Sequence, residues 1–256
     1  MTYEDLDVEA LYSELAKFKQ KEDSLVHAAF NAPLTNSKAR NFLEQGFLRR
    51  LKLISLATQQ VFEILPPDTR KIPTRDILGL VTIQIHAQIF NTFGALDCWA
   101  HVWATELGVQ NKKGKPLLPS RVGIGKKYSE LRQSLPKRLD SLLCERDNWL
   151  TRFSDLRHAL AHQIPPYIPP YMVDPSNEEK YNELNFRWYN SLDPGEREQI
   201  DAEIIELAHF KAFLIYDLDK SSPIGFHAQL ISDFLTLEEI SLSFVASLYE
   251  NAKHTQ

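Results

Sequence analysis

Apolar side chains recur along this chain at intervals of three and four, the spacing of amphipathic helices, and few segments alternate as a half-buried strand does. The stripe Leu6, Ala10, Leu11, Leu15 and Phe18 predicts a first helix from Tyr3 to about Lys21. A loop follows through Pro33, with Asn36 and Ser37 as capping candidates at its end. Phe42, Phe47, Leu51, Ile54, Thr58, Val61, Phe62 and Leu65 mark a second, long helix from about Lys38 to Leu65, stopped by Pro66-Pro67. Thr74 is placed to cap a third helix, with Asp76 in its first turn, running to about Leu107 and ending near Gly108. That helix is apolar nearly all round, which assigns it to the centre of a bundle.

A polar loop from Gln110 to Gly125 leads to a short helix near Lys126 to Ser134. A fourth long helix is expected from Pro136 to His162, with Leu139, Leu143, Leu150, Phe153 and Leu160 on its apolar face. Two copies of Ile-Pro-Pro-Tyr, beginning at Ile164 and Ile168, forbid helix and read as an extended, polyproline-like strap with aromatic anchors. From Asn177 to about Phe213 the chain is polar and helix-prone, broken at Asp193-Pro-Gly195, and Ala212 to Asp217 reads as helix or short strand. A last amphipathic helix is expected from His227 to Tyr249. The sum is an all-α chain, one domain over 1–256. Its bundle of four to five long helices has its core at about 38–163, followed by the proline-rich strap and appended C-terminal helices over 164–256.

Composition narrows the function. Hydrophobic residues are 43% and charged residues 25% of the chain, as in ordinary globular proteins. A net charge of −5 supplies no overall attraction for nucleic acid, so any such binding needs a local basic patch. Cys98 and Cys144 sit in helical, largely apolar contexts, form no CxxC, and read as two small buried hydrophobes of a reducing compartment. The acidic start lacks the pattern of a signal peptide, and Thr82, Gln84, His86, Gln88, Asn91, Thr92 and Asp97 interrupt the longest apolar run. No membrane span and a cytoplasmic location are therefore expected. Gly123-Ile-Gly125-Lys126-Lys127 does not match the P-loop pattern, and no GxSxG, HExxH, EF-hand or Rossmann fingerprint occurs.

The candidate chemistry lies at the end of the fourth helix, in Asp155-Leu156-Arg157-His158-Ala159-Leu160-Ala161-His162. Stepping Leu139, Leu143, Arg146, Leu150, Phe153, Arg157, Leu160 puts Arg157 on the apolar stripe, where a partly buried guanidinium needs a partner. Asp97, the lone formal charge between Ile77 and Thr105, is the best partner. His158 and His162 lie four apart and face the same way. Between Glu106 and Glu130 lie Lys112, Lys113, Lys115, Arg121, Lys126 and Lys127 with no acidic residue, a loop able to hold a phosphate backbone or simply to be solvated.

The run from Arg157 to His162 resembles the Arg-x4–6-His motif of the HEPN superfamily, named for higher eukaryotes and prokaryotes nucleotide-binding. The wider run from Phe93-Gly-Ala-Leu-Asp97 through the first Ile-Pro-Pro-Tyr is similar to a group of uncharacterised bacterial proteins. The HEPN resemblance covers about Ile77 to His162. It implies a HEPN-like bundle, with the family's arginine role on Arg157, its histidine role on His162 and its polar position on His158. It also implies metal-independent RNA cleavage by 2′-hydroxyl attack, no cofactor, a homodimer, and a toxin or phage-defence role with an antitoxin or other protein partner. Arg157 would hold the phosphate, an imidazole would move protons near neutral pH, and Asp97 would orient the arginine.

A structural role is the alternative. His162 would cap its helix, an Arg157–Asp97 pair would lock two helices, and the protein would be a noncatalytic scaffold. A His158–His162 metal pair lacks a third ligand nearby in sequence, so no metal site is expected. Asp97 with His101 reads as a core pair, His86 as a hydrogen-bonded core histidine, and His227 as a cap for the last helix. The carboxylates Glu238 and Glu239 read as solvated.

Overall fold

The computed structural model describes residues 5–216 and 223–254, so the expected helix start at Tyr3 and the end of the stretch at Asp217 lie outside the described residues. So does the side chain of Leu6. Within them the chain is an all-α bundle with a few two-residue strands. Helix α1, Asp5–Phe30, runs well past Lys21, because nothing breaks helix before the Asn31-Ala-Pro33 turn and Leu25 and Ala29 extend its buried face. Asn36 caps α2, Ser37–Asn41, by accepting from the Lys38 and Ala39 amides. This passes through a π-helical segment, Phe42–Phe47, into α3, Leu48–Ile64. Thr74 caps α4, Arg75–Glu106, and Gly108 beyond its end takes a positive φ of 60°, open to glycine without cost.

The centre of the bundle is α4, which packs on α2, α3 and the π segment. Its approach to the preceding helix is close at two glycines. A Cβ on Gly46 would meet Cys98 Sγ at 2.7 Å, and one on Gly94 would meet the Arg50 guanidinium. The outward faces stay apolar in places. Leu53 and Leu56 of α3, and Leu80, Ile83 and Phe90 of α4, are exposed.

The fourth helix is not continuous. It divides into α6, Lys137–Glu145, and α7, Asp147–His162, after the single turn α5, Ser129–Arg132. At the break Arg146 takes φ −94°, ψ 5° and swings outward, its Nε and Nη2 held by the Glu239 carboxylate at 2.9 and 3.1 Å. Asp147 turns inward to the buried Arg132.

The strap behaves as a wrap with one isoleucine and one tyrosine as anchors: Tyr171 packs against Leu184, Ile200 and Ile204, while Ile164 and Tyr167 are exposed. Ile168 joins the core, Pro166 is buried and offers its carbonyl to His86 Nε2 at 2.6 Å, and Tyr167 pairs through its backbone with Ile215. Beyond it, β1 (Met172–Val173) pairs with β2 (Ala208–His209) around the hairpin of α8, Glu178–Asn190, and α9, Pro194–Leu207. Asp193 caps α9 by accepting from the Gly195 amide. The segment after Ala212 is strand: β3 (Phe213–Leu214) pairs with β4 (Ile224–Gly225).

The core reaches beyond 38–163. The last helix, α10, Phe226–His254, is no appendage: Phe234, Leu237, Ile240 and Phe244 are buried against α1 and α4, with Phe244 stacked on Trp99. His227 does not cap this helix. It is fully buried and reaches the Leu65 carbonyl at 2.7 Å, closing the end of α3. Glu238 and Glu239 are not merely solvated: they pair with Lys21 and Arg146. No described helix is long and apolar enough to cross a membrane.

Candidate functional site

The buried face of the helix that carries the motif steps by threes from Phe153 to Leu156 and Ala159, not by four to Arg157. In α7 the buried positions are Leu150, Phe153, Leu156 and Ala159, so Arg157 is exposed and not on the apolar stripe. His158 and His162 are exposed beside it, their rings 5.1 Å apart between centroids and inclined at 54°. Among the described residues no further His, Cys, Asp or Glu joins them at metal-ligating range.

α7 runs antiparallel to α4. Leu150 joins the core cluster that contains Leu96, while Arg157 lies over the Phe93 ring, its Cζ 5.2 Å from the centroid. Asp97 stands one turn beyond Phe93. It forms no direct ion pair with Arg157, but it feels the fields of Arg157, Arg50 and Lys127. Burial pushes the Asp97 carboxyl up to about 6 in spite of these cations. Asp97 accepts no hydrogen bond from a described residue. His101 is likewise no partner for it: that ring stacks on Phe42 at 4.7 Å, and burial lowers its pKa.

Asp97 opens on a cleft of about 230 Å³ between α4, α7 and the loop before α5. Phe93 and Leu96 come from α4, Ile124 to Tyr128 from the loop, and Leu150, Thr151, Ser154 and Asp155 from α7. The loop is fixed from below. Val122 and Ile124 are buried, the Ile124 carbonyl accepts from Arg132 Nη1 at 2.9 Å, and Gly123 leaves room for the Tyr128 ring. Arg132 itself is a buried hub between Asp140 and Asp147 (3.4 Å), with Cys144 Sγ at 3.0 Å. Cys144 is therefore exposed and engaged by a cation, whereas Cys98 is buried and burial raises its pKa.

The basic residues divide into three sets. Lys112, Arg121 and Lys127 line a polar hollow of about 610 Å³ with Ser120 and Ser129, and it shares Lys127 and Tyr128 with the cleft. Lys126 sits at the cleft, 3.2 Å from Asp147 Oδ2. Lys113 and Lys115 are exposed on the turn organised by the Asn111 side chain and line neither hollow. Arg121 is partly neutralised by Glu130 at 3.6 Å.

Sequence reasoning missed Arg50 and Tyr128; Ser154 and Asp155 were seen beside His158, one helical turn before it, without a role in a cleft. Arg50 was not legible, because only tertiary packing over Gly94 brings it near Asp97. No family model, no curated protein and no solved structure matches the chain.

Proposed function

We propose that this protein is a HEPN-like, metal-independent endoribonuclease whose working groups are Arg157, His162 and His158. The observation that carries the reading is the open placement of these three side chains on α7, beside Asp97 and one cleft away from a basic hollow. Arg157 holds the scissile phosphate with its planar fork and offsets charge developing on the phosphoryl oxygens. His162 takes the proton of the 2′-hydroxyl as that oxygen bonds to phosphorus. The bond from phosphorus to the 5′-oxygen breaks, and His158 returns a proton to the leaving oxygen. The products are a 2′,3′-cyclic phosphate and a 5′-hydroxyl. Imidazole suits both proton transfers because it exchanges protons near neutral pH. Asp97 acts on Arg157 through its field, and Lys112, Arg121 and Lys127 hold the RNA backbone, as their shared hollow suggests.

A second copy completes the reading, packed on the exposed apolar side chains of α3 and α4, and a toxin or phage-defence role is the biological setting we assign to it. The scaffold alternative rests on a direct Arg157–Asp97 pair, which these two side chains do not make. The purified protein should cut a labelled RNA in the presence of a chelator and leave cyclic phosphate ends. Intact RNA across a panel of sequences, with light scattering confirming folded protein, would reject the assignment.

A further inference from the structure

The cleft presents hydrogen-bond acceptors that no described residue satisfies. Asp97 is partly buried and receives no donor from a described residue, and Asp155 on the facing helix is exposed and closes no ion pair or hydrogen bond with one. Two carboxylates on the walls of one cleft, neither committed to a donor of a described residue, leave their oxygens available to a ligand that brings donors. The floor between the two carboxylates is apolar, made by Phe93, Leu96, Ile124 and Leu150. At about 230 Å³ the space suits a single flat ring system, since pockets for drug-sized ligands run to roughly 300–1,000 Å³. The wall is continuous with the second hollow through Lys127 and Tyr128, and that hollow carries Lys112 and Arg121. A flat slot with acceptors, opening into a cationic basin, matches a ring bearing N–H donors joined to a phosphate.

We propose that the cleft is a base pocket that takes guanine from the RNA beside the cut bond. Its link to cutting rests on the ribonuclease reading; its nucleotide binding does not. Guanine presents two adjacent donors, N1–H and the N2 amino group, to the Asp97 and Asp155 carboxylates. Adenine and cytosine present one amino group next to an acceptor. Uracil presents one N–H between two carbonyls, which the carboxylates repel. The phosphate on the ribose of that nucleotide lies in the Lys112, Arg121 and Lys127 hollow, whose lining also carries Glu130 beside Arg121. Arg157 stacks on the same Phe93 ring that floors the slot, which sets the next phosphate within its range.

Calorimetric titration of the full chain with 5′-GMP, AMP, CMP and UMP tests this. GMP should bind at least tenfold more tightly than UMP. Asp97→Asn should erase that preference, and Asp155→Asn, on an exposed helix face, should weaken GMP several-fold with the fold intact by circular dichroism. Equal affinity for GMP and UMP, or a preference untouched by Asp155→Asn, overturns the pocket. Mapping of cut sites separates the two claims. GMP held through Asp97 with RNA left uncut keeps the pocket and removes the nuclease. Cuts indifferent to guanine, with no GMP bound, keep the nuclease and remove the pocket.

Discussion

Replacing His227 with glutamine takes a titrating imidazole out of the core. His227 is fully buried at the start of α10, between Phe62 and Phe226, with Nε2 on the Leu65 carbonyl. Burial lowers its pKa from 6.5 to about 4, against smaller opposite pulls from the Leu65 carbonyl and Asp68. The unfolded chain therefore binds a proton below pH 6.5, and the native state only near pH 4. The stability associated with the neutral ring is complete above 6.5 and is lost as pH falls through that window. The shift corresponds to about 3 kcal/mol at pH 4, a large share of the 5–15 kcal/mol typical of a domain. Glutamine cannot take up the proton. Urea unfolding followed by tryptophan fluorescence at pH 7 and pH 4 should show His227→Gln losing about 3 kcal/mol less than the wild type over that interval. Parallel losses in the two proteins would refute the reasoning, because the buried imidazole would then not be resisting protonation.

Two further outcomes follow from the site's framework. Arg132→Met leaves the buried Asp147 without its guanidinium, and thermal unfolding should register a loss of about 3–5 kcal/mol. A loss below about 1 kcal/mol would mean that Lys126 alone sustains that carboxylate. In the hollow, Lys112→Ala with Lys127→Ala should weaken RNA binding for all sequences alike. It should also flatten the dependence of log affinity on log salt by about 0.7 for each phosphate no longer neutralised; an unchanged slope in fluorescence anisotropy would take those lysines out of the interface.

Local signals made most elements legible before the fold was known. Asn36 and Thr74 are caps, Pro66-Pro67 and Gly108 are stops, Asp193-Pro-Gly195 is a break, and each acts where its own side chain or φ angle dictates. What stayed hidden depends on distant partners. At the break Arg146 pairs with Glu239, far away in sequence, and Asp147 with Arg132, and nothing in the run Leu143 to Leu150 announces either partner. After Phe153 the buried face continues through Leu156 and Ala159 rather than Arg157, a choice between steps of three and four that the run leaves open, so the sequence marked the motif's place on its helix but not its exposure. Asp97 was visible as a neighbour because a lone carboxylate in a long apolar helix is conspicuous. The core role of α10 was not, since an amphipathic stripe shows that a face is covered and not what covers it.

The most direct test compares the wild type with the Arg157→Ala/His162→Ala variant on one RNA substrate in the presence of a chelator. Both side chains are exposed, so the melting temperature should hold. The cleavage rate should fall by at least a factor of about 10² to 10⁴, the range a lost proton-transfer group alone accounts for. A folded double variant that cuts as fast as the wild type would contradict the assignment of this surface to phosphodiester chemistry.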